Sequence, residues 1–186
     1  MSKQIELARL FLGGLEACPD LRHAGDPFLR NPKVTGVGAQ DHAEEIFRRL
    51  RETLLAYRAA TGIGRGLAAP QIGIASSAFV TYLGDEWKLF LNPSIVEAGE
   101  RRTLYRERCL SCGPVSCDVA RPSEIVATWT TAEGKMITER LSGFEARIFQ
   151  HELDHLAGVL CVDLAEPGTV NLSTEDPVLE TFRPLP

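Results

Sequence analysis

The stretch Gln150-His151-Glu152-Leu153-Asp154-His155-Leu156-Ala157-Gly158 decides how this chain folds and what chemistry it carries. It contains His-Glu-x-x-His, with two histidines four residues apart. On a helix, that spacing places both imidazoles on one face, one turn apart, so both can bind one metal ion. The carboxylate of Glu152 then lies beside the metal without being a ligand, where it can take a proton from a bound water. The stretch predicts a hydrolytic metal centre on a helix.

Two helices are predicted, one on each side of a region of strands. Residues 41–60 carry apolar side chains at helical spacing, and Asp41 and Glu44 form a capping-box pattern at their start. The second helix begins at Ser142, which repeats the capping pattern with Glu145. This second helix carries both histidines.

Five short strands are predicted between the helices, because β-prone residues alternate there with turn signals such as Asn92-Pro93. They cover residues 78–83, 87–91, 103–106, 124–131 and 136–141. Their short spacing favours hairpins and therefore antiparallel pairing. We expect an α+β fold, in which mostly antiparallel strands pack around the central His-Glu-x-x-His helix.

The length of 186 residues suits one domain. We expect a single domain over residues 1–186, with an N-terminal arm at 1–21 and a proline-containing C-terminal tail at 164–186. Residues 1–38 are expected to be irregular, and residues 160–162 are a candidate final strand.

Composition and charge exclude several classes of protein. The net charge of −5 argues against bulk binding of nucleic acid, which needs a basic face to release counterions. No apolar stretch approaches the length of a membrane span, and the N-terminus is a poor secretory signal. We therefore expect a bacterial cytoplasmic protein, with an organellar protein as the alternative.

The third metal ligand is the next question. No histidine follows His155, and the downstream acidic residues lie on no convincing helix. Upstream, the segment Glu107-Arg108-Cys109-Leu110-Ser111 offers a thiolate. A Cys-His-His set suits Zn(II), Fe(II) or Co(II) and leaves a coordination position open for water.

Three separated motifs resemble those of the peptide deformylase family. The first is Gly64-Arg65-Gly66-Leu67-Ala68-Ala69-Pro70-Gln71-Ile72-Gly73, the second is Glu107-Arg108-Cys109-Leu110-Ser111, and the third is the histidine stretch from Gln150 to Leu156. They occur in the family's order and spacing, and the resemblance spans about residues 22 to 163. The resemblance implies a metal-dependent hydrolase that removes the formyl group from the N-terminal formyl-methionine of new polypeptides and releases formate.

The resemblance also implies a role for each site residue. The implied metal ligands are Cys109, His151 and His155. Glu152 is the general base, which returns the proton to the departing amine. The side-chain amide of Gln71 and the backbone N–H of Leu110 are the donors to the oxyanion.

A further set of residues is assigned to substrate binding and to support of the ligands. Gly64 and Gly66 let the backbone pass close to the metal site, and Arg108 lies at the peptide-binding edge, where the family normally has glycine. This departure puts substrate preference in doubt, but not the metal site. Glu107 and Asp154 are the candidate acceptors for the second imidazole nitrogens. Alternatively, Asp154 pairs with an arginine such as Arg121.

One divalent metal ion is the implied cofactor, natively Fe(II), with Zn(II), Ni(II) or Co(II) as substitutes. The implied partners are N-formyl-methionyl nascent peptides and, transiently, the ribosome. We expect no direct nucleic-acid specificity and no membrane association.

Other interpretations remain open at this point. Cys109-x-x-Cys112 also fits a redox dithiol, or a structural zinc site that includes Cys117. Oxidation that joins Cys109 to Cys112 would release the metal. The chain is alternatively a metallopeptidase with a downstream third ligand, or a deformylase-like protein with an altered substrate or a binding-only role because of Arg108.

Overall fold

The structure, a computed structural model, describes residues 3–38, 42–172 and 182–185. Its α-helices are α1 (Lys3–Glu16), α2 (Pro27–Arg30), α3 (Ala43–Thr61) and α4 (Gly143–Leu156). Its strands are β1 (Gly66–Ala68), β2 (Ala78–Leu83), β3 (Glu86–Ala98), β4 (Arg102–Arg108), β5 (Val115–Pro122), β6 (Glu124–Thr130), β7 (Met136–Ser142), β8 (Asn171–Leu172) and β9 (Arg183–Pro184).

The strands form two sheets in which neighbouring strands are antiparallel. The first sheet has the order β1-β2-β3-β6-β7, and the second has the order β8-β5-β4-β9. In the second sheet Glu107 of β4 lies opposite Cys117 of β5, and Arg108 lies opposite Ser116. The α+β class and the mostly antiparallel pairing are therefore confirmed.

Helix α4 packs against strands of both sheets, as its apolar residues require. Its Phe149 contacts Phe79 and Phe90 of the first sheet edge to face, at ring-centroid distances of 5.1 and 5.4 Å. Burial of these aromatic side chains removes a large apolar area from water and favours edge-to-face packing. Because α4 is held between the sheets, the histidines that it carries lie inside the molecule.

Helix α3 packs on the other side of the first sheet, against β1 and β2, and α1 packs on α3. The apolar face of α3 is fully buried at Leu50 and Leu54, and the helix ends at Gly62, which adopts a left-handed φ of 75°. Helix α1 lies close to α3 at Gly14, where a Cβ atom would come within 2.7 Å of a ring carbon of Tyr57. A small residue is therefore needed at this contact.

Several expectations about the elements are wrong. Residues 1–38 are not irregular throughout, because α1 covers Lys3–Glu16 and packs on α3. Residues 160–162 form no strand, and a 3-10 helix covers Cys161–Leu164. The predicted turn at Asn92-Pro93 is a bulge within β3, where Asn92 has a φ of 50°.

The capping patterns have separate outcomes. Ser142 stands at the N-cap of α4 but makes no side-chain cap hydrogen bond, and Glu145 pairs instead with the ammonium of Lys88 at 2.9 Å. The predicted capping box between Ser142 and Glu145 is therefore wrong, because the Glu145 carboxylate pairs with Lys88 of β3 instead. Asp41 lies outside the described residues, and the described part of the first predicted helix begins at Ala43.

None of the helices in the described part of the chain has the length and apolar character that a membrane crossing needs.

We predict that Phe149→Ala lowers the free energy of unfolding by about 3–5 kcal/mol, because a fully buried aromatic ring is removed from the contact between α4 and the first sheet. Urea denaturation measures this loss. Met136→Ala is the control, because Met136 is 74% exposed and its replacement should change stability by no more than about 0.5 kcal/mol. Equal losses in the two variants would contradict the packing described for α4.

Candidate metal centre

Three potential metal ligands come together where α4 meets the end of β4. The ligand atoms of Cys109, His151 and His155 all lie within 4.8 Å of one another, and Cys109 Sγ is 3.3 Å from His155 Nε2. The two imidazole rings are perpendicular, with centroids 5.0 Å apart. Cys109 and His155 are buried, and His151 is half-buried. Three donors that converge in this way leave room for one ion.

The backbone around Cys109 explains how the thiol reaches the helix. Strand β4 ends at Arg108, and Cys109 keeps extended angles of φ −128° and ψ 136° at the start of a 3-10 helix over Leu110–Cys112. The change from strand to tight helix turns the chain at the cysteine. Its sulfur is therefore held at the sheet end that faces α4.

Glu107 connects the same strand to α4 through buried ion pairs. Its carboxylate accepts hydrogen bonds from Arg121 at 2.7 and 3.0 Å, from Arg147 at 3.0 Å and from His151 Nδ1 at 2.9 Å. Arg121 also pairs with Asp154 at 2.6 Å. Glu107 therefore contacts His151, as expected from the sequence. Asp154 contacts Arg121 instead of a histidine, which was the alternative prediction.

These contacts determine the ionisation of Glu107 and the tautomer of His151. Burial alone would raise the pKa of Glu107, but Arg121 and the hydrogen bond from His151 outweigh burial and hold that pKa well below its usual value. An ionised carboxylate can only accept, so His151 Nδ1 carries a proton. Burial alone would lower the pKa of His151, but the hydrogen bond to Glu107 and its charge raise that pKa, and in the neutral form of the ring Nε2 keeps its lone pair. That nitrogen is the atom a metal would bind.

His155 lies in a different environment. Burial, followed by the proximity of His151, lowers its pKa well below the usual value. A buried histidine in this state stays neutral at physiological pH. Neutral imidazole is the form that binds a metal.

Glu152 lies beside the ligands in the interior. Burial is the main cause that raises its pKa to about 7, and its Oε2 atom makes no hydrogen bond within the described residues. The backbone of Gly66 packs directly on this side chain, and a Cβ atom at that position would come within 2.7 Å of Glu152 Cδ. The close backbone approach expected at Gly66 is present, and it is made to Glu152.

Gln71 reaches the centre from the short turn after β1. Its Oε1 accepts from the backbone N–H of Ala68 at 2.8 Å, which orients the amide. Its Nε2 donates to Ser111 Oγ at 3.1 Å and lies 3.5 Å from Cys109 Sγ. A positioned amide donor therefore lies beside the sulfur, with Leu110 next to it in the chain.

A cavity of about 480 Å³ opens onto this group of residues. Gly64, Gly66 and Arg108 are on its wall, together with Gln71 and Glu152. Arg108 ends β4 in ordinary strand geometry and is not among the residues with positive φ, so an arginine is accommodated there without backbone strain. Its half-buried side chain faces the cavity.

The other interpretations of the cysteines are less well supported. Among the described residues, Cys109 groups with the two histidines as a metal site, and neither Cys112 nor Cys117 belongs to such a group. All five cysteines are buried free thiols. Oxidation of Cys109 with Cys112 stays a prediction.

The donor set fits a divalent metal ion. One thiolate and two neutral imidazoles are ligands of Zn(II) and Fe(II), and three protein ligands leave a position open, as in catalytic sites. Within the described residues, Oε2 of buried Glu152 is an acceptor without a hydrogen-bond donor. A buried carboxylate beside three potential metal ligands, with a cavity in front of them, is the arrangement expected of a metallohydrolase.

Comparison with known proteins identifies the family. The model of the family described as polypeptide deformylase matches residues 19–170. A peptide deformylase from Thermotoga petrophila is 35% identical over 148 residues, which are 80% of this chain and 87% of that protein. One from Zymomonas mobilis is 37% identical over 147 residues, 74% of this chain and 80% of that protein. The chain belongs to the peptide deformylase family and is a metal-dependent hydrolase.

Solved structures support the same assignment. The crystal structure of peptide deformylase from Thermotoga maritima superposes with a TM-score of 0.73 at 34% identity, covering 79% of this chain and 97% of that one. The structure of the peptide deformylase from Synechococcus elongatus in complex with actinonin gives a TM-score of 0.72 at 34% identity, covering 80% and 79%.

Two residues of the site were missed from the sequence. Arg147 holds Glu107 from α4, and Ser111 accepts from Gln71. The sequence does contain a signal for Arg147. It lies four positions before His151, so it shares the helix face that the histidines predict to be buried, and a buried arginine needs an acidic partner. Ser111 lies inside the second motif, two residues after Cys109.

We predict that Gly66→Ala lowers deformylase activity on the order of 100-fold, because the added methyl group displaces the carboxylate of Glu152. Metal content should stay close to that of the wild type, since the three atoms nearest to an added Cβ all belong to Glu152 and none to the three grouped donors. Formate release and metal analysis are measured together. Gly13→Ala is the matched control, because a Cβ atom there meets nothing within 4 Å. Full activity in Gly66→Ala would contradict the close packing on Glu152.

Proposed function

We propose that this chain hydrolyses the formyl group from the N-terminal formyl-methionine of newly made polypeptides, and that the buried Glu152 carries the proton transfer. The observation that carries the proposal is the position of Glu152 beside the Cys109, His151 and His155 donors, at the end of a cavity. A carboxylate in that environment has a pKa near neutrality, which suits a group that both takes and returns a proton.

We propose that Cys109, His151 and His155 hold one divalent metal ion. When bound there, such an ion lowers the pKa of a coordinated water and polarises the formyl carbonyl. We further propose that Fe(II) is the native ion and that Co(II), Ni(II) or Zn(II) can occupy the same donors, since all four accept mixed nitrogen and sulfur ligands.

Glu152 moves the proton between the two reactants. It accepts a proton from the attacking water and then passes it to the nitrogen of the departing amine. The carbon–nitrogen bond of the formamide breaks, and the products are formate and a peptide with a free N-terminal amine. The backbone of Gly66 packs against the Glu152 side chain and leaves no space for a Cβ atom there, which limits movement of the carboxylate on that side.

Two donors stabilise the negative charge that develops on the formyl oxygen. The amide of Gln71 is held by Ala68 and by Ser111, so it is oriented before the substrate arrives. The backbone N–H of Leu110 is the second donor in this proposal. Loss of one such donor typically costs about 3 kcal/mol of transition-state stabilisation.

Supporting and substrate-binding roles complete the site. Glu107 keeps His151 in the tautomer that binds a metal through Nε2. Gly64 and Gly66 leave space for the peptide backbone, and Arg108 lies at the edge of the same cavity. Ile148 and Leu110 contribute apolar wall that suits a methionine side chain.

The biological setting follows from this chemistry. The partners that we propose are N-formyl-methionyl nascent peptides, met in a bacterial cytoplasm, and the ribosome in a transient contact. We propose no direct specificity for nucleic acid and no membrane association. We also propose that residues 1–186 act as one domain.

Glu152→Ala should lower formate release by about 10²- to 10⁴-fold, because the general base is lost while the three metal donors remain. The measurement is formate release from a formyl-methionyl tripeptide by anaerobically prepared protein loaded with Fe(II). Glu139→Ala serves as a control, since Glu139 is an exposed glutamate of β7 that does not line the cavity. Rapid formate release by Glu152→Ala would contradict the proposed role of Glu152 in proton transfer. No release by metal-loaded wild type would instead point to an altered substrate or a binding role.

A further inference from the structure

One end of the cavity is walled by two aromatic rings. Tyr105 lies four residues before Cys109 in extended chain, and Phe144 lies seven residues before His151 on α4. At these spacings each ring shares a face of its element with the metal ligands. The two ring centroids are 5.7 Å apart, and both residues line the cavity. Strand β4 and helix α4 therefore each bring one ring to the wall, roughly 10–13 Å along the chain from the ligands.

Phe182, from the C-terminal segment, packs against both rings from outside the cavity. Its ring centroid is 5.2 Å from that of Tyr105 and 6.5 Å from that of Phe144. The described residues that line the cavity include Tyr105 and Phe144 but not Phe182, which is 37% exposed to solvent. Phe182 therefore lies between the aromatic wall and water, where it supports the two rings without lining the cavity itself.

The second sheet holds Phe182 in this position. Strand β9 pairs with β4 in an antiparallel register that, continued by one residue, places Phe182 opposite Tyr105. That is the face of β4 that also carries Glu107 and meets α4. The next residue, Arg183, points to the other face, where its guanidinium pairs at 2.7 Å with the buried carboxylate of Asp118. Backbone pairing and an ion pair thus hold the segment beside the wall.

We propose that Phe182 is a positioning residue that makes this deformylase selective for methionine over bulkier first residues. By supporting Tyr105 and Phe144, it keeps the aromatic end of the cavity too narrow for a large, rigid side chain. This inference rests on the proposed function and names a residue that sets its side-chain preference. In the substrate, Cα alone separates the first side chain from the nitrogen of the bond that breaks, so that side chain extends from the reaction centre along the cavity wall. Close-packed walls respond to the loss of even one side chain behind them.

The test compares two substrates that differ only in the first side chain. Formyl-methionyl-alanyl-serine amide and formyl-phenylalanyl-alanyl-serine amide are assayed for kcat and KM with metal-loaded protein. The variants are Phe182→Ala, which removes the ring, and Phe182→Tyr, which keeps it. Leu185→Ala is the matched control, because Leu185 belongs to the same segment, is 41% exposed and is not among the described residues that line the cavity. Both rates come from one preparation, so their ratio does not depend on the fraction of molecules that are folded or hold metal.

The wild type should favour the methionyl peptide in kcat/KM. Phe182→Ala should lower that preference by about fivefold, mainly through KM, because the support given by an aromatic contact is lost. Phe182→Tyr and Leu185→Ala should keep the preference of the wild type. A wild type without preference, an unchanged or higher preference in Phe182→Ala, or an equal fall in Leu185→Ala would overturn the inference.

The measurement separates this inference from the proposed function. If the wild type and Phe182→Ala release formate from the two peptides with the same preference, the function stands and the role of Phe182 is rejected. If the wild type releases no formate from either peptide, the proposed function fails. Calorimetric binding of both peptides to the wild type and to Phe182→Ala then decides the role of Phe182. A fall of about fivefold in the preference for the methionyl peptide supports that role, and an unchanged preference rejects it.

Discussion

The carboxylate of Glu107 is the contact on which the rest of the site depends. It lies on β4, two residues before Cys109, and binds Arg121 of β5 and both Arg147 and His151 of α4. One carboxylate therefore joins the strand that supplies the thiol to the helix that supplies the imidazoles. Burial of an ion is costly unless its charge and its lone pairs are satisfied, and here two guanidinium groups and an imidazole do so. Removal of the Glu107 carboxylate would leave buried guanidinium charge uncompensated.

The two buried glutamates of the site are driven in opposite directions by their surroundings. Burial favours the protonated form of both, but arginines and His151 keep Glu107 ionised, while no described residue donates a hydrogen bond to Oε2 of Glu152. Glu107 is thereby a permanent acceptor that orients a ligand. Glu152 is able to exchange a proton near neutral pH. The two carboxylates differ in ionisation because arginines pair with Glu107.

Most of the site was predictable because its chemistry is local in sequence. The histidine spacing, the Cys109 segment and the Gln71 turn each carry a motif, and the structure brings all three together. Helix α1 was missed although Leu7, Phe11 and Leu15 recur at helical spacing and pack in the same core cluster as the apolar residues of α3. Features that depend on distant partners were not predictable. Glu145 leaves its expected cap for Lys88, a residue 57 positions away.

The most direct test of this account is the affinity of Glu107→Gln for Co(II), measured by competition with a chelator and by the absorption band of the thiolate–cobalt pair. The account predicts a 10- to 100-fold loss of affinity, as is typical when an outer-shell acceptor is removed. Asp154→Asn is the control, because Asp154 also pairs with Arg121 but, in the described part of the chain, it is Glu107 that holds His151, so its loss of affinity should be smaller. An affinity equal to that of the wild type in Glu107→Gln would contradict the claim that this carboxylate holds the metal centre together.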